Sequence, residues 1–134
     1  MRSETFTVVT RGQGTVDLTE QARVFARGVG GDGLLHVFVP HATAGLVLFE
    51  TGSGSDQDLA ELLERVVPRD DRYAHRHGGV GHGGDHLVPA LAAPSLTVPV
   101  IDGALMLGTW QSIVLVDTNL ENNERTVRLS FVPA

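Results

Sequence analysis

The sequence contains no lysine and no cysteine. Without lysine there is no amine for Schiff-base chemistry, which removes the anchor that pyridoxal phosphate enzymes need. Without cysteine there is no disulfide framework, thiolate nucleophile or sulfur ligand, so metal chemistry falls to histidine and carboxylates. All ten basic residues are arginines, set against 16 acidic ones, for a net charge of −6 and a pI near 5.4. No polybasic stripe exists to displace counterions from a nucleic acid, so no nucleic-acid partner is expected. Any phosphate would be bound by arginine. No stretch approaches the roughly 18 apolar residues of a membrane span, and Met1–Thr10 lacks the apolar core of a secretory leader. A cytoplasmic protein with no membrane partner is expected.

At 134 residues and 14.3 kDa the chain suits one domain, residues 1–134, large enough to bury a core unaided. Short β segments are expected at Phe6–Thr10 and Val16–Leu18 around a Gly12-Gln13-Gly14 turn. Thr19 reads as the cap of a two-turn helix that stops at Gly28. Leu34–Pro40 and Gly45–Glu50 read as buried strands. A second helix is expected after Ser55, with Asp58 completing a capping box, one face formed by Leu59, Leu62, Leu63 and Val66, and Pro68 as its stop. Ser95–Pro99, Ala104–Thr109, Gln111–Asp117 and Arg125–Val132 read as strands, the first two joined by an Asp102-Gly103 turn. Two short helices amid about eight strands give an α+β fold, mainly antiparallel and sandwich-like.

Between Arg69 and Pro94, charge, histidine, glycine and proline interrupt any strand, with at most a turn over Leu87–Leu91. Loops of such length in compact domains are commonly functional. Three histidines sit in recognisable settings: His41 after a strand-like run, His75 after Tyr73, and His86 after a glycine-histidine stretch. Three imidazoles around a divalent ion, zinc by preference, leave the open coordination position of a catalytic site. Their gaps of 34 and 11 residues match no local zinc motif. His77 and His82 read as surface residues or adventitious metal ligands, and His36 as structural. Glu50 either ends a strand or serves a metal site as general base or as an orienter of a ligand. Asp58 reads first as a helix-capping carboxylate. The amides that follow Gly52–Ser55 offer an anion site.

Two segments carry a family resemblance. The run Asp32-Gly-Leu-Leu-His-Val-Phe-Val-Pro-His-Ala-Thr-Ala-Gly45 is similar to a strand ending in His-Thr-Thr-Ala-Gly, and Val98 to Ile113 contains the bend Gly-Thr-Trp-Gln. Together they resemble the YjbQ-like proteins, often labelled secondary thiamine-phosphate synthase, over nearly the whole chain and in the same order. The resemblance implies an antiparallel α+β homotrimer with a polar pocket around shared histidines. It also implies a weak activity joining hydroxymethylpyrimidine diphosphate to a thiazole phosphate with release of pyrophosphate. Matched by position, His41, His75 and His86 are the implied metal ligands and Glu50 and Asp58 the implied catalytic carboxylates. Thr109 and Gln111 border the implied pocket, and Arg125 either pairs with Asp117 or clamps a phosphate. Phe49 stands where the family usually has asparagine, Gly52-Ser53-Gly54 replaces a linker carboxylate, and Val88 replaces a frequent lysine.

Three functions follow as expectations. The first is a trimeric metal-binding enzyme with little thiamine-phosphate synthase activity, given the missing lysine and carboxylate. The second is a zinc-dependent hydrolase of a small phosphorylated or acylated metabolite. The third is a trimeric metabolite- or metal-binding protein that catalyses nothing.

Overall fold

The computed structural model describes residues 1–134. Eight strands and four helices follow in the order β1 (Arg2–Val9), β2 (Gly14–Asp17), α1 (Thr19–Val29), β3 (Gly33–Phe38), β4 (Ala44–Phe49), α2 (Ser55–Val66), α3 (His82–Asp85), α4 (Val88–Leu91), β5 (Ser95–Ile101), β6 (Ala104–Leu105), β7 (Ser112–Asp117) and β8 (Glu124–Pro133). Every strand pairing is antiparallel. One sheet runs β1-β8-β3-β5-β6 and the other β2-β7-β4. No helix is long and apolar enough to cross a membrane.

The two expected helices are present, and two single-turn helices, α3 and α4, appear inside the segment read as irregular. Helix α1 passes through Gly28 and ends one residue later, where Gly30 takes a positive φ of 74° and donates its N–H to Ala26 O. Its three turns exceed the expected two because Ala22, Phe25 and Ala26 are buried on one side, and that packing outweighs the cost of one internal glycine. Thr19 is not the cap: it is the first helical residue, and Asp17 Oδ1 accepts both its N–H at 2.9 Å and its hydroxyl at 2.6 Å. Ser55 likewise begins α2 rather than capping it, with Gly54 ahead of it at φ 93°. The reach-back expected of Asp58 belongs to Asp56, whose Oδ2 accepts the Gly52 N–H at 2.7 Å. Asp58 itself is exposed. Only half of the expected α2 face is covered: Leu63 is buried and Leu59 packs beside it, while Leu62 and Val66 are exposed.

The sheets face each other across a core of Leu35, Val37, Val98, Leu129 and Phe131 from the larger sheet and Leu46, Ile113 and Leu115 from the smaller. Fully burying such a side chain contributes about 1.5–3 kcal/mol, so this layer dominates the stability. Strand β7 is buried on both faces: Ile113 and Leu115 point into the core, and Val116 packs with Leu63, Val88 and Ala92 from α2 and the α4 segment. The smaller sheet is thus a middle layer, as its near-continuous apolar sequence indicates. Asp102 and Gly103 both have positive φ, 49° and 75°, which makes the β5–β6 connection the Asp-Gly hairpin turn that was expected. Strand β6 stops at Leu105 instead of continuing to Thr109, because Gly108–Gln111 folds into a turn in which Gly108 N–H donates to Gln111 Oε1 at 2.8 Å.

Gly45 explains how the histidine-bearing segment is seated. A β-carbon there would lie 1.7 Å from the Ala92 carbonyl oxygen, and the next residue, Leu46, donates its N–H to Ala93 O at 2.8 Å. The chain leaving α4 therefore lies directly on β4. Gly45→Val should lower the unfolding free energy by about 2–3 kcal/mol, the scale of overpacking with backbone displacement. Chemical denaturation measures this, and unchanged stability would show that α4 does not rest on Gly45.

Candidate metal centre

Four histidines of this segment converge. One ring nitrogen from each of His75, His77, His82 and His86 lies within 4.8 Å of all the others. The ring centroids of His75 are 3.9 Å from His77 and 4.2 Å from His86, and those of His82 and His86 are 4.8 Å apart. His82 Nε2 and His86 Nε2 are 3.0 Å apart. Two imidazole nitrogens on one tetrahedral zinc are separated by about 3.3 Å, from a bond length of about 2.0–2.1 Å. The donor set fits a borderline divalent ion.

The segment is held from its two ends. Asp85, 1 % exposed, receives Arg69 Nη1 at 2.5 Å, Thr118 Oγ1 at 2.8 Å and Asn119 Nδ2 at 3.0 Å. Arg69 also donates to Thr118 O at 2.7 Å, which ties the start of the loop, its helical turn α3 and the β7–β8 connection together. Glycines then let the loop fold tightly on itself. A β-carbon at Gly81 would meet the Arg69 side chain at 2.7 Å, and one at Gly84 would meet the Tyr73 ring at 2.9 Å. Tyr73 is fixed in turn by donating its hydroxyl to Pro68 O at 2.6 Å.

Hydrogen bonding sets one tautomer. Glu121 Oε1 lies 3.0 Å from His82 Nδ1 and accepts the Gly79 N–H at 3.1 Å. A carboxylate only accepts, so His82 carries its proton on Nδ1 and turns the lone pair of Nε2 toward the other rings. The Gly79 N–H and then His82 hold the Glu121 carboxyl below its usual range. Desolvation within the cluster, then the neighbouring imidazoles, lowers the pKa of both His75 and His86. Both rings therefore favour the neutral form that ligates metals.

His41 is not part of this group. Its Nε2 accepts the Thr126 N–H at 2.8 Å, which consumes the lone pair and leaves the proton on Nδ1. Arg125 does not stand free as a phosphate clamp either: it is 3 % exposed and reaches Asp117 Oδ2 at 2.5 Å, Asp117 Oδ1 at 3.1 Å and Thr43 Oγ1 at 2.8 Å. It joins β8 to the end of β7 and the start of β4. Glu50, Thr109 and Gln111 do come together, in a cavity of about 430 Å³ that Arg23 and Trp110 also line, but no histidine lines it. Asp58 lines neither this cavity nor the histidine cluster. His77 and His82, read as surface residues or adventitious ligands, are members of the cluster that the expected three-histidine set left out. Their signal was local: 82 and 86 are four apart, one helical turn, and 75 and 77 are two apart, the same side of an extended chain.

Burial, then Arg125, lowers the pKa of His41 from 6.5. The folded state disfavours the protonated ring, so the unfolded chain binds the extra proton first. The stability His41 supports is complete above pH 6.5 and is lost as pH falls from there through the lowered folded value. Compared with His41→Gln, the parent chain should lose stability more steeply between pH 7 and 5 in urea titrations. Parallel pH dependences would contradict this assignment.

Comparison with known proteins agrees with the fold. A family model described as "UPF0047 protein YjbQ-like" matches residues 4–134. UPF0047 protein Rv2556c of Mycobacterium tuberculosis is 58 % identical over 132 residues, covering 98 % of each chain. The crystal structure of the hypothetical protein APE1520 from Aeropyrum pernix superposes with a TM-score of 0.91 at 32 % identity over 100 % of both chains. A YbjQ-like protein of unknown function from Sulfolobus solfataricus gives the same TM-score at 24 % identity and shows the shared fold alone. The chain belongs to the YjbQ-like UPF0047 family.

Proposed function

We propose that this chain is a metal-binding protein whose divalent ion, zinc by preference, is held by His75, His77, His82 and His86. The observation that carries the reading is the convergence of four ring nitrogens within 4.8 Å, with Glu121 orienting one of them. The all-imidazole donor set favours a late first-row ion over magnesium or calcium, which prefer oxygen. Bound there, the ion would supply a Lewis-acid centre. His75 and His86 keep the role the sequence gave them, and His77 and His82 replace His41.

An enzymatic reading is second. Its support is the cavity that gathers Glu50, Thr109 and Gln111, with Arg23 as a cation for a small phosphorylated metabolite. Transferase chemistry of the thiamine-phosphate synthase type belongs to this reading as a weak activity. Val88 supplies no cation, Gly52-Ser53-Gly54 supplies no carboxylate, and Arg125 is occupied by Asp117. Hydrolysis of a phosphorylated or acylated metabolite is its other form. We place the protein in the cytoplasm as a homotrimer. Exposed Leu62 and Val66 on α2, and Leu87 and Leu91 around α4, are apolar surface that a subunit contact would cover.

Elemental analysis of untagged protein should find one equivalent of zinc per chain. His82→Ala and His86→Ala should lose it, and His41→Ala should keep it with its fold intact by circular dichroism. Metal that persists in both cluster variants, or leaves with His41, would overturn the assignment.

A further inference from the structure

We infer that His77 is a displaceable ligand of this centre, whose withdrawal opens the ion to a small anion of the phosphate or carboxylate class. The inference rests on the metal-binding reading above and deepens it. Four protein ligands close a tetrahedral site, whereas chemistry or exchange at the ion needs one position free. Which of the four can yield is decided by how each is held.

Three are fixed from outside the ion. The His82 ring is held by Glu121 at 3.0 Å, and the Gly78 backbone lies against it so closely that a β-carbon there would fall 2.5 Å from its Cγ. His86 follows Asp85 directly at the end of α3, and Asp85 is buried among Arg69, Thr118 and Asn119. The main chain of His75 is packed on Gly83, where a β-carbon would lie 3.1 Å from its carbonyl oxygen, and it follows the fixed Tyr73 by two residues. The His77 ring makes no hydrogen bond, and its main chain is tied only through the residues after it, Gly78 against the His82 ring and the Gly79 N–H to Glu121. Like His75 it is exposed, its ring lies against the other imidazoles, and Gly78 after it has a φ of 83°.

The space beside the centre lies on the same side. A cavity of about 140 Å³ is lined by His75 and His77 but by neither His82 nor His86. A ligand entering there meets the ion where His77 stands. Arg76 lines the cavity too, and its guanidinium donates only to the main-chain oxygen of Asp71, at 3.1 Å. Of the carboxylates on the same wall, Asp70 is paired with Arg72 at 2.8 Å, and Asp71 is the other. Four neutral imidazoles leave a dication offset only by Glu121 behind His82 and Asp71 on the cavity wall, and Arg76 restores a net positive charge. An anion is the class of ligand that this charge attracts.

The test is visible absorption of the full chain loaded with Co²⁺, in the parent, His77→Ala, His77→Gln and His82→Ala, titrated separately with inorganic phosphate and with acetate. The parent should bind one Co²⁺. Both His77 variants should retain one Co²⁺ with affinity reduced about tenfold, whereas His82→Ala should lose about a hundredfold or more. Anion-induced spectral change should appear in the His77 variants at about tenfold lower concentration than in the parent, and the more effective arm identifies phosphate or carboxylate as the natural class. A His77 variant that loses the ion as fully as His82→Ala, or one indistinguishable from the parent in affinity and anion response, overturns the inference while leaving the metal centre standing. Failure of the parent to bind Co²⁺ removes the centre itself.

Discussion

The buried carboxylate of Asp85 is the constraint on which the histidine segment depends. It is 1 % exposed and takes three donors, from Arg69, Thr118 and Asn119. A carboxylate so far from water is tolerable only when paired and hydrogen-bonded. Removing one partner of a buried pair costs about 3–5 kcal/mol, and the lower end applies here because the Arg69 side chain remains 24 % exposed. The same carboxylate fixes three places in the chain at once: the exit of α2, the turn α3 and the β7–β8 connection. The last of these carries Glu121, whose carboxylate sets the His82 tautomer. The ordered core of the middle sheet is thus connected to the ring nitrogens through one acidic side chain.

A second buried pair, Arg125 with Asp117, sits at the same end of β7, one residue before Thr118. It decides between the two readings of Arg125 in favour of the pair with Asp117. Arg125 is held by Asp117 and Thr43 rather than offered to a ligand, and its positive charge helps keep His41 neutral. The chain therefore separates two features that the sequence had merged. The imidazoles gather on the loop after α2, and the carboxylate and amide of Glu50 and Gln111 gather at the Gly108–Gln111 turn. Within one chain the expected general base does not stand at the expected metal.

Most of the sheet was legible because its physics is local. An apolar run placed β3, turn residues delimited β5, Asp102-Gly103 named its own hairpin turn, and Leu59 and Leu63 marked the inner side of α2. The pairing of β1 with β8 was not legible, since Arg2↔Phe131 is a contact between the two ends of the chain that no local pattern encodes. Each helix start was misplaced by one residue, because Asp17 ahead of α1 and Asp56, two positions before Asp58, made the hydrogen bonds assigned to Thr19 and Asp58. The site was half legible. The loop was recognised by its composition and His75 and His86 by their settings, yet His41 was chosen over His77 and His82 because it matched a histidine shared by the family the chain resembles. What orders that loop is Asp85 and the close contacts of Gly81 and Gly84, which become visible only in three dimensions.

The central claim is that four imidazoles surround one ion. X-ray absorption at the zinc edge of the protein loaded with one equivalent tests it most directly. Four nitrogen scatterers at about 2.0–2.1 Å, with the outer-shell pattern of imidazole, are the expected result. A first shell dominated by oxygen, or containing no more than one imidazole, would contradict it.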